Sequence, residues 1–338
     1  MMKIYKLSFF SILIMSTLIS ISAYTWLGMW IGLEMNLLSI IPIIKGKSIL
    51  SSESSIKYFI TQALASTIIM MSIIMMMWKF SFSSSIYLQS NLLMIMNSGL
   101  LLKMGMAPLH FWFPEVLEGL NWNNCMLMLT WQKITPMVLL MYNTKFELFY
   151  SIIIISGMII SSILSMNQVS IRKLMAFSSI NHMGWMMSAM MTEKTIWVIY
   201  FVIYSVITIN ISMMMKNIFY LNQLFPTLNM SSSMKMFFML NFLSLSGIPP
   251  FLGFLPKWLV IQTMIENKMF SLAMIMIMFT LIMIFVYIRI TMTSLIMKNN
   301  YVNWNLKLNL KINMMTISTM NFFLMFSLIM VTITLNMI

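Results

Sequence analysis

The feature that most constrains this chain is a series of apolar segments, each about 20 residues long, joined by short polar links. A membrane-spanning helix needs about 20 mainly apolar residues to cross the hydrocarbon layer. The segments of that length cover residues 5–23, 25–44, 58–78, 91–109, 123–143, 148–167, 170–191, 195–219, 235–264, 269–297 and 314–337. The sequence therefore predicts an all-α polytopic membrane protein with about 11 transmembrane helices, in a single domain over residues 1–338.

The composition agrees with a membrane protein and excludes several other classes. Charged residues make up only 8% of the chain, whereas soluble domains are about 25% charged. The net charge of +13 comes from residues scattered between the apolar segments, so it forms no nucleic-acid-binding patch. One cysteine, Cys125, and two histidines cannot supply the ligands of an iron–sulfur cluster, a Cys-based zinc site or a pair of haems. The 47 methionines and the lack of aspartate are typical of an AT-rich insect mitochondrial gene, in whose code ATA specifies Met.

Basic residues are distributed unevenly between the two sides of the predicted helices. Cytoplasmic or matrix loops of membrane proteins are enriched in Lys and Arg. One side carries Lys3, Lys6, Lys45, Lys47, Lys57, Arg172, Lys173, Lys216, Lys235, Lys298, Lys307 and Lys311. The other side carries Lys79, Lys145, Lys194 and Lys268. We therefore expect the N-terminus on the matrix side and the C-terminus on the intermembrane-space side. We also expect the first apolar run to be a retained helix and not a cleaved signal peptide, because it is long enough to span and a second span follows at once.

Four ionisable side chains lie inside the apolar segments, and they are Glu34, Lys103, Lys133 and Lys257. A charge at the bilayer centre costs at least about 2.5–3.5 kcal/mol, so such a group normally faces the protein interior with a partner or water. Two structural alternatives stay open: the lysines can extend to the membrane surface, or one can form a silent ion pair with Glu34. Because one glutamate cannot neutralise three lysines, the set favours coupled titrating groups, which a proton relay requires.

His182 adds a group that exchanges a proton near neutral pH. It stands in "MAFSSINHMGW", where Ser178, Ser179 and Asn181 form a polar patch that can hold water. A packed, hydrogen-bonded histidine is the structural alternative. The sequence therefore includes His182 among the candidate relay residues.

Glycine and proline interrupt two of the apolar segments, and each interruption lies beside a lysine. Proline removes a helical hydrogen bond and clashes with the preceding turn, which predicts broken helices around residues 103–109 and 246–256. Unwound backbone at membrane depth is tolerated only inside protein or against water, and paired broken helices mark ion pathways in transporters. An ordinary proline kink is the alternative. We expect each break to open the helix to water beside Lys103 or Lys257.

Glutamates follow the first break at positions 115 and 118, close to two tryptophans at positions 112 and 122. Aromatic side chains gather at the membrane–water interface of transmembrane proteins. We therefore interpret this stretch as a helix end at the interface with an aromatic belt, and not as a catalytic pair of carboxylates.

Three stretches resemble the antiporter-like subunits of respiratory complex I and the related cation/proton antiporters: "KMGMAPLHFWFPEVLEG", "SIRKLMAFSSINHMGW" and "LNFLSLSGIPPFLGFLPKW". With "TWQKITP" and "WIGLEMNLLSIIPI", the resemblance covers essentially the whole chain. It implies antiporter-like inverted repeats and an N-terminus shortened by three helices relative to fourteen-helix relatives. It also implies a proton relay through Glu34, Lys103, Lys133, His182 and Lys257.

The resemblance further implies a core membrane subunit of the proton-translocating NADH:ubiquinone oxidoreductase, in the mitochondrial inner membrane. No glycine-rich phosphate loop follows a strand, so we expect no redox centre and no metal here, with NADH, FMN, iron–sulfur clusters and ubiquinone in partner subunits. The expected partners are the other membrane-arm and accessory subunits and lipids such as cardiolipin, with no nucleic acid. The alternatives are a freestanding cation/proton antiporter and a structural spacer of the membrane arm that pumps no protons.

Overall fold

The computed structural model describes residues 4–46, 48–80, 86–144, 146–216, 218–223 and 232–296. Within these ranges thirteen α-helices have both ends described, residues 221–223 are helical as well, and there is no β-strand apart from one isolated bridge between Ser170 and Tyr220. The helices are α1 (Ile4–Ser22), α2 (Trp26–Ile44), α3 (Ile49–Phe80), α4 (Ile86–Met104), α5 (Trp112–Gly119), α6 (Trp122–Leu129), α7 (Trp131–Met141), α8 (Glu147–Ser165), α9 (Ile171–Thr192), α10 (Lys194–Met214), α11 (Ser232–Ser246), α12 (Phe254–Glu266) and α13 (Phe270–Ile296).

The prediction of an all-α polytopic membrane protein is confirmed. Six of the described helices are long and apolar enough to cross a membrane: α1, α2, α3, α8, α10 and α13. Each of the first ten predicted segments overlaps at least one described helix, and the eleventh, 314–337, lies outside the described residues.

Helix α3 begins earlier than the hydropathy of the sequence predicts. It starts at Ile49 and not at residue 58, because the serines of its first turns are satisfied within the helix. The Ser51, Ser54 and Ser55 hydroxyls each donate to a carbonyl three residues earlier, at 2.7 to 3.0 Å. Lys57 therefore lies inside a helix, and not in a loop.

The predicted helix over 123–143 is two helices, and that boundary prediction was wrong. Helices α6 and α7 meet at Thr130, whose backbone angles are φ −115° and ψ −73°. Pro136 has no N–H to donate to the Gln132 carbonyl, so this part of the helix lacks one regular bond. At the start of α7 the Lys133 N–H donates to the Thr130 carbonyl at 3.2 Å, which is a tightened turn.

The aromatic belt expected at the start of α5 and α6 is also corrected. Trp112 and Trp122 are both buried in the chain, with 9% and 2% of their surface exposed. The exposed side chains between these two tryptophans are polar, and the Glu115 carboxylate forms an ion pair with Lys57 at 3.0 Å. Lys57 also pairs with Glu53, four residues earlier on α3, at 3.0 Å.

The helices group into two compact units, Met1–Ile153 and Ile154–Ile338. In the first unit α3 packs against α2, α4 and α5, while α7 contacts α1, α4 and α6. In the second unit α9 contacts α10, α12 and α13, while α11 contacts α10 and α13. Every residue of α9 from Leu174 to Met190 is buried, so this helix is the core of its unit.

Candidate proton-transfer site

The first helix break separates α4 from α5, as predicted. The backbone at the end of α4 has the geometry of a capped helix C-terminus. Gly105 adopts a positive φ of 72°, which a glycine reaches without steric cost. Its N–H donates to the Leu102 carbonyl and the Met106 N–H donates to the Leu101 carbonyl, both at 3.1 Å. The Trp112 indole donates to the same Leu102 carbonyl at 3.1 Å, which explains why this ring is buried.

Lys103 lies in the last turn of α4 and is buried, with 8% of its surface exposed. Its backbone carbonyl accepts a hydrogen bond from the Gln62 side chain at 3.2 Å. Among the described residues its ammonium makes no hydrogen bond and no ion pair, but it lies within the electrostatic reach of Glu34. The Glu34 Oε2 atom is itself buried without a hydrogen-bond partner in the described part of the chain. The structure therefore brings these two predicted residues near each other without direct contact.

A small polar cavity lies beside Lys103 in the first unit. It offers the centre of a water molecule about 10 Å³, which is close to the space that one water needs. The Gln132 amide donates to Asn36 Oδ1 at 2.9 Å, and the Tyr58 hydroxyl donates to Gln132 Oε1 at 3.4 Å. The cavity lining is Leu33, Asn36, Leu37, Tyr58, Gln62, Lys103, Gln132, Thr135 and Pro136.

One cavity-lining group has an unused hydrogen-bonding atom. The Thr135 Oγ1 atom is buried and has no hydrogen-bond partner among the described residues. Buried hydroxyl groups nearly always find a protein or water partner. A water molecule in this cavity would give the Thr135 hydroxyl a partner and would lie beside Lys103.

Lys133 lies on α7 and is almost fully buried, with 1% of its surface exposed. Its Nζ atom lies 5.4 Å from the centroid of the Phe113 ring, a cation–π distance. Phe113 belongs to α5, and its Cβ approaches Gly105 so closely that a Cβ on Gly105 would lie 2.9 Å away. The close approach of Phe113 to Gly105 thus fixes the position of the ring that contacts Lys133.

The second helix break separates α11 from α12, again as predicted. Gly247 adopts a positive φ of 75°, and its N–H donates to the Ser244 carbonyl at 3.1 Å. The Lys257 ammonium reaches back across the break and donates to the Ser246 carbonyl at 2.7 Å. A Cβ on Gly253 would overlap the Ser244 carbonyl, so the chain after the break touches the end of α11.

His182 lies on the buried helix α9 and is 6% exposed. Its Nδ1 atom hydrogen-bonds with the Tyr200 hydroxyl at 2.9 Å. The Tyr204 ring also packs against it, with 5.1 Å between the ring centroids. Either atom of this pair can be the donor, because the role of Nδ1 depends on the tautomer of the ring.

Two further tyrosines extend the polar network around α9. The Tyr204 hydroxyl lies beside Ser179, and the Tyr287 hydroxyl of α13 lies beside Ser178. Both serine hydroxyls donate in turn to α9 carbonyls three residues earlier, at 2.7 Å. These two branches end on the backbone, so they fix the tyrosines in place without extending a proton path.

Sequence reasoning found the charged groups of the site but missed its neutral ones. For Asn36, Gln132 and Thr135 the signal that could have found them is a polar side chain in an apolar segment within three residues of a candidate, and no such signal marks the remaining ones. The missed residues are Asn36, Tyr58, Gln62, Gln132, Thr135, Tyr200, Tyr204 and Tyr287.

Metal binding has no visible basis in the described part of the chain. No group of three or more His, Cys, Asp or Glu side chains there is arranged to hold a metal ion. Cys125 is buried and its Sγ lies 3.4 Å from the Leu117 carbonyl. The Nδ1 atom of His110 lies 3.3 Å from the Pro108 carbonyl, within the first break.

Comparison with known proteins gives a consistent result. The sequence profile of the family described as NADH:quinone oxidoreductase/Mrp antiporter, TM, matches residues 23–284. NADH-ubiquinone oxidoreductase chain 2 of Anopheles gambiae is 50% identical over 277 residues, which cover 80% of this chain and 81% of the relative. The protein of the same name from Aedes aegypti is 46% identical over 338 residues, 98% of each chain.

A solved structure supports the fold. A chain of respiratory complex I from Thermus thermophilus, determined with bound aureothin, superposes with a TM-score of 0.80 at 19% identity. The superposition covers 86% of this chain and 71% of that chain. Together with the sequence matches, which extend over most of both partners, it shows that this chain belongs to the NADH-ubiquinone oxidoreductase chain 2 family of antiporter-like membrane proteins.

Proposed function

We propose that this chain is a core membrane subunit of the proton-translocating NADH:ubiquinone oxidoreductase of the mitochondrial inner membrane. The names of its relatives support this assignment. It acts there as one antiporter-like domain, beside the other membrane-arm and accessory subunits. NADH, FMN, iron–sulfur clusters and ubiquinone bind to those partners, and the N-terminus faces the matrix.

The observation that carries the proton-transfer function is the pairing of a helix break with a lysine in each compact unit. Breaking a helix inside a membrane exposes polar backbone groups, which is tolerated only where protein or water satisfies them. Lys103 lies in the last turn of the helix before one break, and Lys257 bonds to the helix end at the other. Each helix break therefore combines a titratable lysine with polar backbone groups that can bind water.

In the first unit the transfer begins with Glu34 and Lys103. Because the two groups interact electrostatically without an ion pair, a change in the charge of one alters the proton affinity of the other. The cavity beside Lys103 supplies the space for a water molecule that takes up or delivers the proton. Lys133 follows Gln132, a wall of that cavity, and is the central acceptor of the unit.

In the second unit His182 and Lys257 exchange protons. Tyr200 holds the His182 ring through its Nδ1 atom, and Ser246 holds the Lys257 ammonium through its carbonyl. The step from Lys133 to His182 joins the two units, and it stays a prediction from the sequence.

The assignment to the complex is tested on inner membranes of mitochondria in a mild-detergent native gel. The gel is stained for NADH oxidation and the bands are analysed for this chain by mass spectrometry. Co-migration with the NADH-oxidising band is the expected result. Migration as a single chain or its dimer would contradict the assignment and favour a freestanding antiporter.

The proton path needs a separate test, because a structural spacer would also co-migrate. Lys133→Ala is introduced and assembly is checked on the same gel. Proton translocation that continues at the normal ratio to electron transfer in an assembled complex would favour the spacer.

A further inference from the structure

The second unit contains a cavity of about 460 Å³ that the proton-transfer site does not use. Ligand-binding cavities have volumes of about 300–1,000 Å³. This one lies where α8 ends, where α9 begins and along the last turns of α13. Its lining is Ser165, Met166, Asn167, Gln168, Val169, Leu174, Leu221, Asn222, Phe285, Val286, Arg289, Ile290 and Thr293.

The loop that forms one wall of the cavity is held by backbone hydrogen bonds. The Leu221 N–H donates to the Val169 carbonyl at 3.1 Å, and the Ile171 N–H donates to the Phe219 carbonyl at 3.0 Å. These bonds flank the isolated antiparallel bridge at Ser170. The wall is therefore already ordered, so the protein loses little entropy there when a ligand binds.

Arg289 is the charged group of this cavity. It is one of only two arginines in the chain, and among the described residues its guanidinium has no hydrogen bond or ion pair. No acidic residue lines the cavity. Arg172, by contrast, has its guanidinium 4.5 Å from the centroid of the Phe219 ring. An arginine on an apolar helix normally marks a partner, and a guanidinium matches a phosphate in bidentate geometry.

The position of Arg289 along α13 places it near one membrane surface. It precedes the end of the helix at Ile296 by seven residues, or about 10 Å at the rise of an α-helix. The positive charge at the neighbouring helix end, with Arg172 and Lys173 in the first turn of α9, predicts that this end faces the matrix. Basic pockets between helices on that side suit anionic lipid headgroups.

The remaining walls are those that a lipid needs. Phe285 lies one helical turn from Arg289 and is 55% exposed, and Val169 is 57% exposed, so apolar surface continues outward from the cavity. The amide side chains of Asn167 and Asn222 also line the cavity, and both residues are exposed, so they can donate to an anion there. A cation, two exposed amides and an exposed apolar wall together fit an amphipathic anion.

We propose that this cavity binds the headgroup of an anionic phospholipid, with a phosphate on Arg289 and an acyl chain along Phe285. This assignment requires only that the chain spans a membrane, and it does not depend on the proton-transfer site.

The test uses the native particle that contains this chain, transferred into nanodiscs. The probes are a photoreactive phosphatidylglycerol and a photoreactive phosphatidylcholine with the same acyl chains. Cross-linked peptides are mapped by mass spectrometry. We expect the anionic probe to label the stretches 165–169 or 285–293 about fivefold more than the zwitterionic one, the gain that one arginine near an anionic headgroup provides.

Two variants make the test specific. Arg289→Gln should lower labelling by the anionic probe to the zwitterionic level, while Arg289→Lys should retain part of the preference. Lys194→Gln removes an exposed charge at the first residue of α10 and is the matched control, with unchanged labelling. The yield of assembled particle on a native gel shows whether each variant folds.

Three results would overturn the proposal. Equal labelling by the two probes would mean nonspecific annular lipid. Loss of the preference in excess inorganic phosphate would mean a site for free phosphate. No labelling of either stretch, with cross-links from residues 297–338 or from a partner subunit instead, would mean that protein covers the cavity.

Discussion

The two broken helices use the same residue types in opposite order, and their lysines consequently have different surroundings. In the first break the lysine precedes the glycine, and backbone groups and Trp112 satisfy the end of α4. The Lys103 ammonium is left beside a polar cavity. In the second break the lysine follows the glycine, and its ammonium bonds to the end of α11 itself, at Ser246.

This difference separates two roles that a buried lysine can have. The Lys103 ammonium donates no hydrogen bond to the end of its helix. A change in its protonation would therefore leave no backbone carbonyl without a donor. Lys257 must break or weaken its bond to the Ser246 carbonyl when it loses a proton. In the proposed proton path, exchange at the second break is therefore coupled to the local structure of the helix end, while exchange at the first is not.

The largest expected effect comes from the glycines that shape the breaks. A Cβ in Gly253→Ala would overlap a backbone carbonyl that cannot move away, so we expect a loss of at least about 4 kcal/mol and little assembled protein. In Gly105→Ala the strain of a positive φ costs about 1–2 kcal/mol, and Phe113 can shift. The yield on a native gel and the thermal unfolding of the complex measure the loss of stability in each variant. Equal losses would contradict the tighter backbone contact at Gly253.

The next largest effect is expected at Lys133. Lys133→Ala should reduce proton translocation by at least about tenfold, because no other titratable group on α7 replaces it. Lys133→Arg keeps the positive charge but does not release a proton in this pH range, so it should assemble and remain inactive. Translocation is measured in sealed vesicles against the rate of NADH oxidation, with Lys194→Ala as the control. An active Lys133→Arg would exclude proton exchange at this position.

Replacing the two break lysines by methionine tests the comparison directly. Lys257→Met leaves the Ser246 carbonyl without its donor, which costs about 1–3 kcal/mol, whereas Lys103→Met removes no hydrogen bond of its side chain. We expect both variants to lose translocation but only the first to unfold at a lower temperature. Matching losses of thermal stability would show that Lys103 also has a structural role.

A smaller effect is expected at the histidine of the second unit. Tyr200→Phe removes the hydrogen bond to His182 while the ring stays in place, a loss of about 1 kcal/mol or roughly fivefold in rate. Tyr287→Phe is the matched control, since its hydroxyl lies beside Ser178. The pH dependence of translocation should change in the first variant only. An unchanged profile in both would remove Tyr200 from the site.

The smallest effect is expected at the exposed ion pairs of the first unit. Lys57 contacts Glu53 and Glu115 in a geometry that water and salt screen well. Lys57→Gln should leave both translocation and thermal stability unchanged within error in physiological salt. A clear loss of translocation would add this exposed group to the proton path.

Much of the fold and the charged half of the site follow from the sequence for simple reasons. A charge or a Gly/Pro pair in an apolar run is rare, so Lys103, Lys257 and both breaks stand out without any structure. The division of the segment around Lys133 does not stand out, because Thr130 and Pro136 are each compatible with a continuous helix. The neutral groups of the site were missed because asparagine, glutamine and tyrosine are common at helix–helix contacts in membranes.

The sequence by itself determined that this protein crosses the membrane many times, where its helices break and which side chains carry charge inside it. Each of these follows from local composition, since the bilayer acts on every segment separately. Only the tertiary structure decided that Gln132 and Asn36 border the water-sized cavity with Lys103, that Phe113 contacts Lys133, that Tyr200 holds His182 and that Lys257 caps a helix. These contacts join residues that are distant in sequence, and packing within each unit selects them.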